Sequence, residues 1–432
     1  MTVTYQEAEA YIYAIPKFTK KNPPESTKKF YQYLENPGAK SKIIHIAGTN
    51  GKGSVCAYLD RILQEAGYGT AMFTSPHLVH MLERFRINNE MIREEEFLRA
   101  YEYILKKVEE YQTRETYHPT FFELLFFIGM VVFDREQPDF IILETGLGGR
   151  LDATNVIESP VVSVITMIGK DHCEYLGDTV EQIAWEKAGI IKQGCPLVYL
   201  ADKASVTKVI EDKAALENSQ TFPVDFSAFN ILKNTDKTID FSYESKYYEY
   251  IKLTLSTCAI YQCSNAALAI KAIEVIDGGR TISADQIRKA VRATRWAGRM
   301  EEIRPNVIVD GAHNEDGIEA FVASVEQVQR CSPTKNHLLF AVVNDKDYSH
   351  MVRTLMESQL FSDVTITRIA GSRELELTVL DKIFAGYGAS VHRYEDVEEA
   401  LTFCMQSKRE NERLYIVGSL YLAGLVKEII ER

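Results

Sequence analysis

Residues 48–54, Gly48-Thr49-Asn50-Gly51-Lys52-Gly53-Ser54, have the composition of a loop that holds phosphate. Glycines let a backbone approach an anion without a Cβ in the way, and the loop and helix N–H groups beside them converge on one point. Lys52 supplies a positive charge for the terminal phosphates. Ser54 is placed to cap the helix that follows and to touch a phosphate or its metal. The spacing departs from the common Walker pattern: Ile46 stands where a glycine is usual, and Gly53 separates the lysine from Ser54. Two further polar groups follow apolar runs. Glu144 closes Asp139-Phe140-Ile141-Ile142-Leu143, and Asp171-His172 follow the run from Val161 to Met167. A carboxylate ending an apolar strand beside a phosphate loop suits a Mg²⁺ ion, which prefers oxygen ligands.

These groups need strands that deliver them to one place. Ile43–Ala47, Thr70–Phe73, 139–144 and 161–167 read as short buried strands, and in an open α/β sheet the ligand sits beyond their carboxyl ends. The lead-in reads as a helix over 5–15, a polar loop over 17–27 and a helix through Phe30, Tyr33 and Leu34 ending at Asn36-Pro37-Gly38. Helices are expected near Ser54–Leu63, at 94–111, at 120–133, and from Thr179 through Lys187. Residues 221–255 alternate like an antiparallel meander turning at Asn234-Thr235-Asp236. Helices return at 261–276 and 283–294. Arg295-Trp296-Ala297-Gly298-Arg299 reads as a hinge, after which a fresh alternation of strands and helices predicts a second, smaller, mostly parallel sheet. The expectation is an α/β protein of two domains. Residues 1–295 form a nucleotide-binding domain with a P-loop and a meander, and 296–432 a smaller Rossmann-like domain.

The chain has 432 residues, 46% apolar and 25% charged, enough for two or three ordinary globular domains. A net charge of −12 argues against a nucleic-acid scaffold, which needs an excess of Lys and Arg. The longest apolar run, Leu124 to Phe133, is interrupted by Gly129 and too short for a membrane span. Glu7 and Glu9 fall where a signal peptide would be apolar. Seven scattered cysteines without a C-x-x-C pair suit free thiols in a reducing cytoplasm.

On residue type alone, several other positions read blandly. His172 is a loop histidine, Lys187 a solvated helix lysine, Asn265 a helix cap, and Asp310 with His313 a strand end and cap. Lys346 and Asp347 read as surface charges, and Trp296 as hinge packing.

Taken together, the segments resemble one family. Gly48 to Ser54, Ser75-Pro76-His77-Leu78, Glu144 to Asp152, Asp171-His172, Glu186-Lys187-Ala188-Gly189-Ile190, Gly298-Arg299, Asp310-Gly311-Ala312-His313-Asn314 and Gly418-Ser419-Leu420-Tyr421 look like folylpolyglutamate synthases. These are the folate branch of the Mur ligases, and bacterial members often double as dihydrofolate synthases. The resemblance implies ATP held by Asn50, Gly51, Lys52, Gly53, Ser54, Asn265, Arg299, Asp310 and His313. It implies Mg²⁺ held by Ser75, Glu144 and His172, with room for a monovalent cation such as K⁺. It implies a carbamylated Lys187, and a pterin site at Thr120, Phe121, Phe122, Glu123, Leu151, Asp152 and Ala153. Lys52, Glu144, His172 and Lys187 would carry the catalysis. One segment departs from the family: Asn22-Pro23-Pro24-Glu25-Ser26-Thr27 stands where a Gly-Leu-x-Arg-like stretch is usual.

The implied reaction is ATP-driven amide formation through an acyl phosphate. Its substrates would be L-glutamate and the γ-carboxylate of a folate, or dihydropteroate. The resemblance further implies a cytoplasmic monomer with neither nucleic-acid nor membrane partners. Two alternatives stand beside it. A peptidoglycan-type amino-acid ligase would carry a UDP-sugar domain ahead of the loop, where only 47 residues precede Gly48. A P-loop regulatory NTPase would turn over nucleotide without regard to an amino acid.

Overall fold

A computed structural model of the chain describes residues 3–16, 22–371, 373–389 and 391–431. Its main sheet has eight strands, in the spatial order Glu90–Met91, Phe85–Ile87, Thr70–Phe73, Phe140–Glu144, Lys42–Ala47, Val162–Ile165, Leu197–Leu200 and Thr221–Val224. The six from Thr70–Phe73 onward run parallel, and the two short edge strands are antiparallel. Lys42–Ala47 lies between Phe140–Glu144 and Val162–Ile165, so the phosphate loop, Glu144 and the His172 loop leave neighbouring strand ends. Apolar side chains cover both faces, as a parallel sheet requires. One face packs Val55, Leu59 and Ile62 of the helix Lys52–Glu65 with Ala266, Ile270 and Ile273 of Gln262–Asp277. The other packs an aromatic cluster, including Phe30, Phe73, Phe85, Phe97 and Phe126. The helix Phe121–Glu136 is buried along most of its length, which explains its nearly continuous apolar sequence.

Local chemistry shifts several boundaries. The helix Tyr5–Ala14 starts in a capping box between Thr4 and Glu7. Part of the polar loop expected over 17–27, residues 17–21, lies outside the described residues. The rest is corrected: a helix starts at Pro24 and runs to Tyr33, because proline suits the first turn, where its missing N–H has no partner to lose. The meander is three strands, Phe229–Asn234, Ile239–Ser245 and Glu249–Leu255, turning at 234–238. Thr221–Val224 does not belong to it; parallel pairing with Leu197–Leu200 makes it the edge of the main sheet.

The second sheet has the order Glu301–Arg304, Val307–Val309, Arg413–Val417, Asn336–Phe340, Asp363–Thr367 and Val391–Tyr394, parallel except for the first strand. Residues 295–300 connect the two halves, with Gly298 in the left-handed region at φ +67°. No helix among the described residues is long and apolar enough to cross a membrane.

Candidate active site

Gly51, left-handed at φ +92°, turns the chain into the helix Lys52–Glu65. A Cβ there would collide with the Asn265 side chain. The loop is tied to the neighbouring strand end: Thr49 and Asn50 N–H donate to the Met167 carbonyl at 2.8 and 3.3 Å, and Thr166 Oγ1 donates to the Asn50 carbonyl at 2.7 Å. Ser54 is not the cap. The helix begins two residues earlier, and the buried Ser54 hydroxyl accepts from Gln262 Nε2 at 3.0 Å. Gln262 Oε1 in turn accepts from Asn265 Nδ2 at 3.0 Å. Asn265 is therefore an interior helix residue rather than a cap, and it faces the loop.

A cavity of about 540 Å³ spans the two domains. It brings together every residue to which the family resemblance gave a nucleotide, metal or catalytic role: Asn50 to Ser54, Ser75, Glu144, His172, Lys187, Asn265, Arg299, Asp310 and His313. Glu144 is buried, and burial pushes its carboxyl up. Lys52, 3.9 Å away, and the Ser75 N–H, donating at 3.0 Å, pull the other way. His172 sits in the left-handed region at φ 50° and burial pushes its imidazole down to about 4, so the ring is neutral with a free lone pair to offer. Asp310, also raised by burial and opposed by Arg299, accepts from Tyr261 Oη at 2.6 Å, Met300 N–H at 2.9 Å and Ala312 N–H at 2.8 Å.

Lys187 overturns the solvated reading. It is buried on the helix Val180–Ala188, and its Nζ donates to the Gly48 carbonyl at 2.7 Å. Burial first, and then the Lys52 charge, bring its ammonium down to about 7. Lys346 is not a surface charge either: its side chain is 8% exposed and pairs with Asp171 at 2.5 Å across the domain boundary. Asp347 is exposed in ordinary fashion and caps the helix Tyr348–Glu357. Trp296 packs its indole against Gly53, where a Cβ would come within 2.8 Å. His313 holds the Gly311 carbonyl through Nδ1–H at 2.7 Å, and its Nε2 lies 3.5 Å from Asp171.

A second cavity of about 320 Å³ collects Thr120, Phe121, Phe122, Glu123, Leu151, Asp152 and Ala153 with Asn22 and Thr27. Two of its carboxylates are already engaged. Glu123 accepts from Asn22 Nδ2 at 2.7 Å, Thr27 Oγ1 at 2.5 Å and Thr120 N–H at 2.7 Å. Asp152 accepts from Leu147 N–H, Thr154 N–H and Thr154 Oγ1, which makes it a clamp on its own loop. The unusual 22–27 segment is thus the wall that holds Glu123. Sequence reasoning missed Asp171, Tyr261, Gln262 and Asn314. Asp171 and Asn314 stood inside quoted motifs; Tyr261 and Gln262 gave no signal beyond preceding Asn265.

Residues 46–273 match the Mur ligase middle domain, and 298–420 match the Mur ligase glutamate ligase domain. The dihydrofolate synthase/folylpolyglutamate synthase of Bacillus subtilis is 33% identical over 99% of this chain and 99% of its own length. The chain belongs to the folylpolyglutamate synthase/dihydrofolate synthase family of Mur ligases. Solved members agree in shape. The folylpolyglutamate synthase of Thermotoga maritima superposes with a TM-score of 0.84 at 32% identity, covering 99% of this chain and 96% of that one. E. coli FolC in complex with DHPP and ADP superposes with a TM-score of 0.85 at 25% identity, over 99% and 98%. In the terms of this family, the larger cavity lies between the middle and glutamate ligase domains, and the smaller one lies wholly in the N-terminal half.

Proposed function

We propose that the chain uses ATP to join L-glutamate to the γ-carboxylate of a folate, forming an acyl phosphate on the way, and that it accepts dihydropteroate as well. The observation that carries this is a shared wall. Ser75, Pro76, Gly146, Leu147 and His172 line both cavities, so a carboxylate reaching out of the smaller one meets a phosphate held in the larger one. The smaller cavity has the aromatic Phe121 and Phe122 for a flat ring system. Membership in a family that pairs the two named activities supports the second substrate.

Within the Asn50 to Ser54 loop, Gly51 to Ser54 offer their N–H groups to the phosphates, with Lys52 against the group that transfers. Asn265, Arg299 and Asp310 hold the rest of the nucleotide, and His313 faces it from the second domain. Ser75 hydroxyl, Glu144 and the neutral His172 fit a Mg²⁺ ion. Ser75 offers a hydroxyl and Glu144 a carboxylate, oxygen donors of the kind Mg²⁺ prefers, and His172 has its lone pair free. When bound, that ion supplies charge neutralisation on the phosphoryl oxygens. A monovalent cation such as K⁺ would find carboxylates in the same cavity, among them Glu144 and Asp171.

The chain's own residues do the rest. The folate carboxylate attacks the γ-phosphorus and ADP departs, with Lys52 stabilising the charge that shifts onto the β-phosphate. Closure of the second domain keeps water from the acyl phosphate. The glutamate amine then attacks the acyl carbon; the acyl carbon–oxygen bond breaks, phosphate leaves with the former carboxylate oxygen, and the amine's proton passes to that phosphate as the amide forms. Lys187 is the residue we assign to carbamylation: its neutral amine adds CO₂, one proton is released, and an anion with two acceptor oxygens results. Burial, more than the neighbouring Lys52 charge, is what supplies the neutral amine. We place the domain boundary at 295/296. A monomer is sufficient, since one chain furnishes both cavities.

The deciding measurement is ADP release from purified protein with Mg²⁺ and ATP. Release that requires both a folate and L-glutamate is expected. Release indifferent to glutamate favours a regulatory NTPase and refutes the ligase reading.

A further inference from the structure

Asn314 is 5% exposed and makes four hydrogen bonds to three separate segments. Its Oδ1 accepts from Gly317 N–H at 2.9 Å, capping the second-domain helix Glu315–Cys331, and from Asn50 Nδ2 at 2.9 Å. Its Nδ2 donates to Asn50 Oδ1 at 3.0 Å and to Asp171 Oδ2 at 3.2 Å. The orientation of the amide is fixed twice over. A backbone N–H can only donate and a carboxylate can only accept, so oxygen must face Gly317 and nitrogen must face Asp171. One second-domain side chain thus grips the phosphate loop through Asn50 and the His172 loop through Asp171. Asp171 is held on its other oxygen by Lys346 at 2.5 Å, again from the second domain. The cap to Gly317 lies within the second domain, but the other three bonds exist only while the domains are docked.

We infer that Asn314 is a positioning residue that couples domain docking to the phosphate loop. With the second domain in place, the Asn50 side chain is fixed and the loop holds the shape that phosphoryl transfer needs. With it away, Asn50 and Asp171 lose their partner together. The loop backbone stays tied to the strand end through Met167 and Thr166, so the N–H groups of Gly51 to Ser54 keep their anion site either way. The coupling should therefore govern turnover more than nucleotide affinity. This rests on the ligase reading above.

The test uses Asn314→Ser and Asn314→Asp in the full chain. Both residues cap helices about as well as asparagine, so the helix N-terminus is preserved. Neither can donate to Asn50 as the amide does. Serine is too short to reach the loop, and aspartate has no N–H and turns a like charge towards Asp171. Misplacement of a reacting group by about 1 Å costs roughly 100-fold in rate, so a fall in kcat of about that size is expected in both variants. The KM for ATP and the dissociation constant for ADP should move less than about threefold, a split that loss of fold would not give. The ratio of ADP formed to glutamate incorporated should rise, because a loosely docked domain admits water to the acyl phosphate. Wild-type-like kcat in Asn314→Ser overturns the inference, as does a kcat unchanged while the ATP KM rises. If Asn314→Asp fails to fold, Asn314→Ser still decides. Wild-type protein that forms ADP without glutamate would refute the ligase reading instead, a separate outcome.

Discussion

Replacing Lys187 by methionine should stabilise the protein while removing its activity. The side chain is buried, and its ammonium is brought from 10.5 to about 7. A shift of that size corresponds to about 5 kcal/mol, at about 1.4 kcal/mol per unit, as an order-of-magnitude destabilisation of the folded state when the group stays charged. Methionine has similar length and no charge to desolvate. The lost hydrogen bond offsets little, about 1 kcal/mol, because the Gly48 carbonyl still accepts from Lys52 at 3.1 Å. The sign follows from proton counts. Between about pH 7 and pH 10.5 the unfolded chain holds a proton that the folded one has released, so wild-type stability rises with pH through that window. The variant lacks the group and does not show the rise. Its advantage should be about 4 kcal/mol near pH 6, about 3 near pH 7.5, and close to nothing near pH 9.5. Urea unfolding in CO₂-depleted buffer, followed by the fluorescence of Trp185 on the same helix, measures it. A variant less stable than wild type near pH 6, or a gap that does not close as pH rises, would refute the reasoning. Turnover should fall by orders of magnitude, and a short carboxylate such as acetate should restore part of it in Lys187→Ala.

Glu144→Gln and His172→Ala should each lower turnover by about 100-fold or more while far-UV circular dichroism stays unchanged; normal turnover in either variant removes that residue from the metal site. Chelation with EDTA should stop ADP formation, and added Mg²⁺ should restore it. Gly146→Ala would set a methyl 2.5 Å from the Phe122 ring, at the wall between the two cavities. Overpacking of this kind costs about 1–3 kcal/mol, so the KM for folate should rise about tenfold while that for ATP holds, and equal changes in both would argue against the cavity assignment. Dihydropteroate supplied with ATP and glutamate should yield dihydrofolate, and an active folate control beside a blank dihydropteroate reaction rejects that second activity.

The long elements were legible because their cause is local. The helix Glu94–Gln112 repeats its apolar residues at helical spacing, and Phe140–Glu144 is an unbroken apolar run. What went unread was short or depended on distant partners. Phe85-Arg86-Ile87 and Glu90-Met91 are edge strands that charged residues disguise. Val391–Tyr394 mixes His and Arg into four residues, and Leu197–Leu200 has the same length. Glu301–Arg304 has three charged residues in four, and only the register with Val307–Val309 makes it a strand. Thr221–Val224 contains Pro223, which an edge strand tolerates and a central one would not.

The site divides in the same way. Glycines and lysine in a tight loop announce themselves because the constraint, close approach of backbone to an anion, acts within seven consecutive residues. Lys187 and Lys346 do not, because their state is set by what folds over them. Lys187 reads as a solvated lysine until the Gly48 carbonyl is seen above it, and Lys346 reads as a surface charge until Asp171 meets it from the other domain. Both sit at the joint between the halves or beside the loop that the joint covers. A lysine buried with a lowered ammonium and a carboxylate buried with a raised carboxyl each destabilise the protein that holds them. Their retention in one cavity beside the glycine loop fits the function proposed for that cavity, in which ATP and its cation would interact with both charges. The second domain closes the same cavity, setting Asn314 against Asn50 and Asp310 against Tyr261, so the electrostatic cost and the two-domain architecture meet at one place.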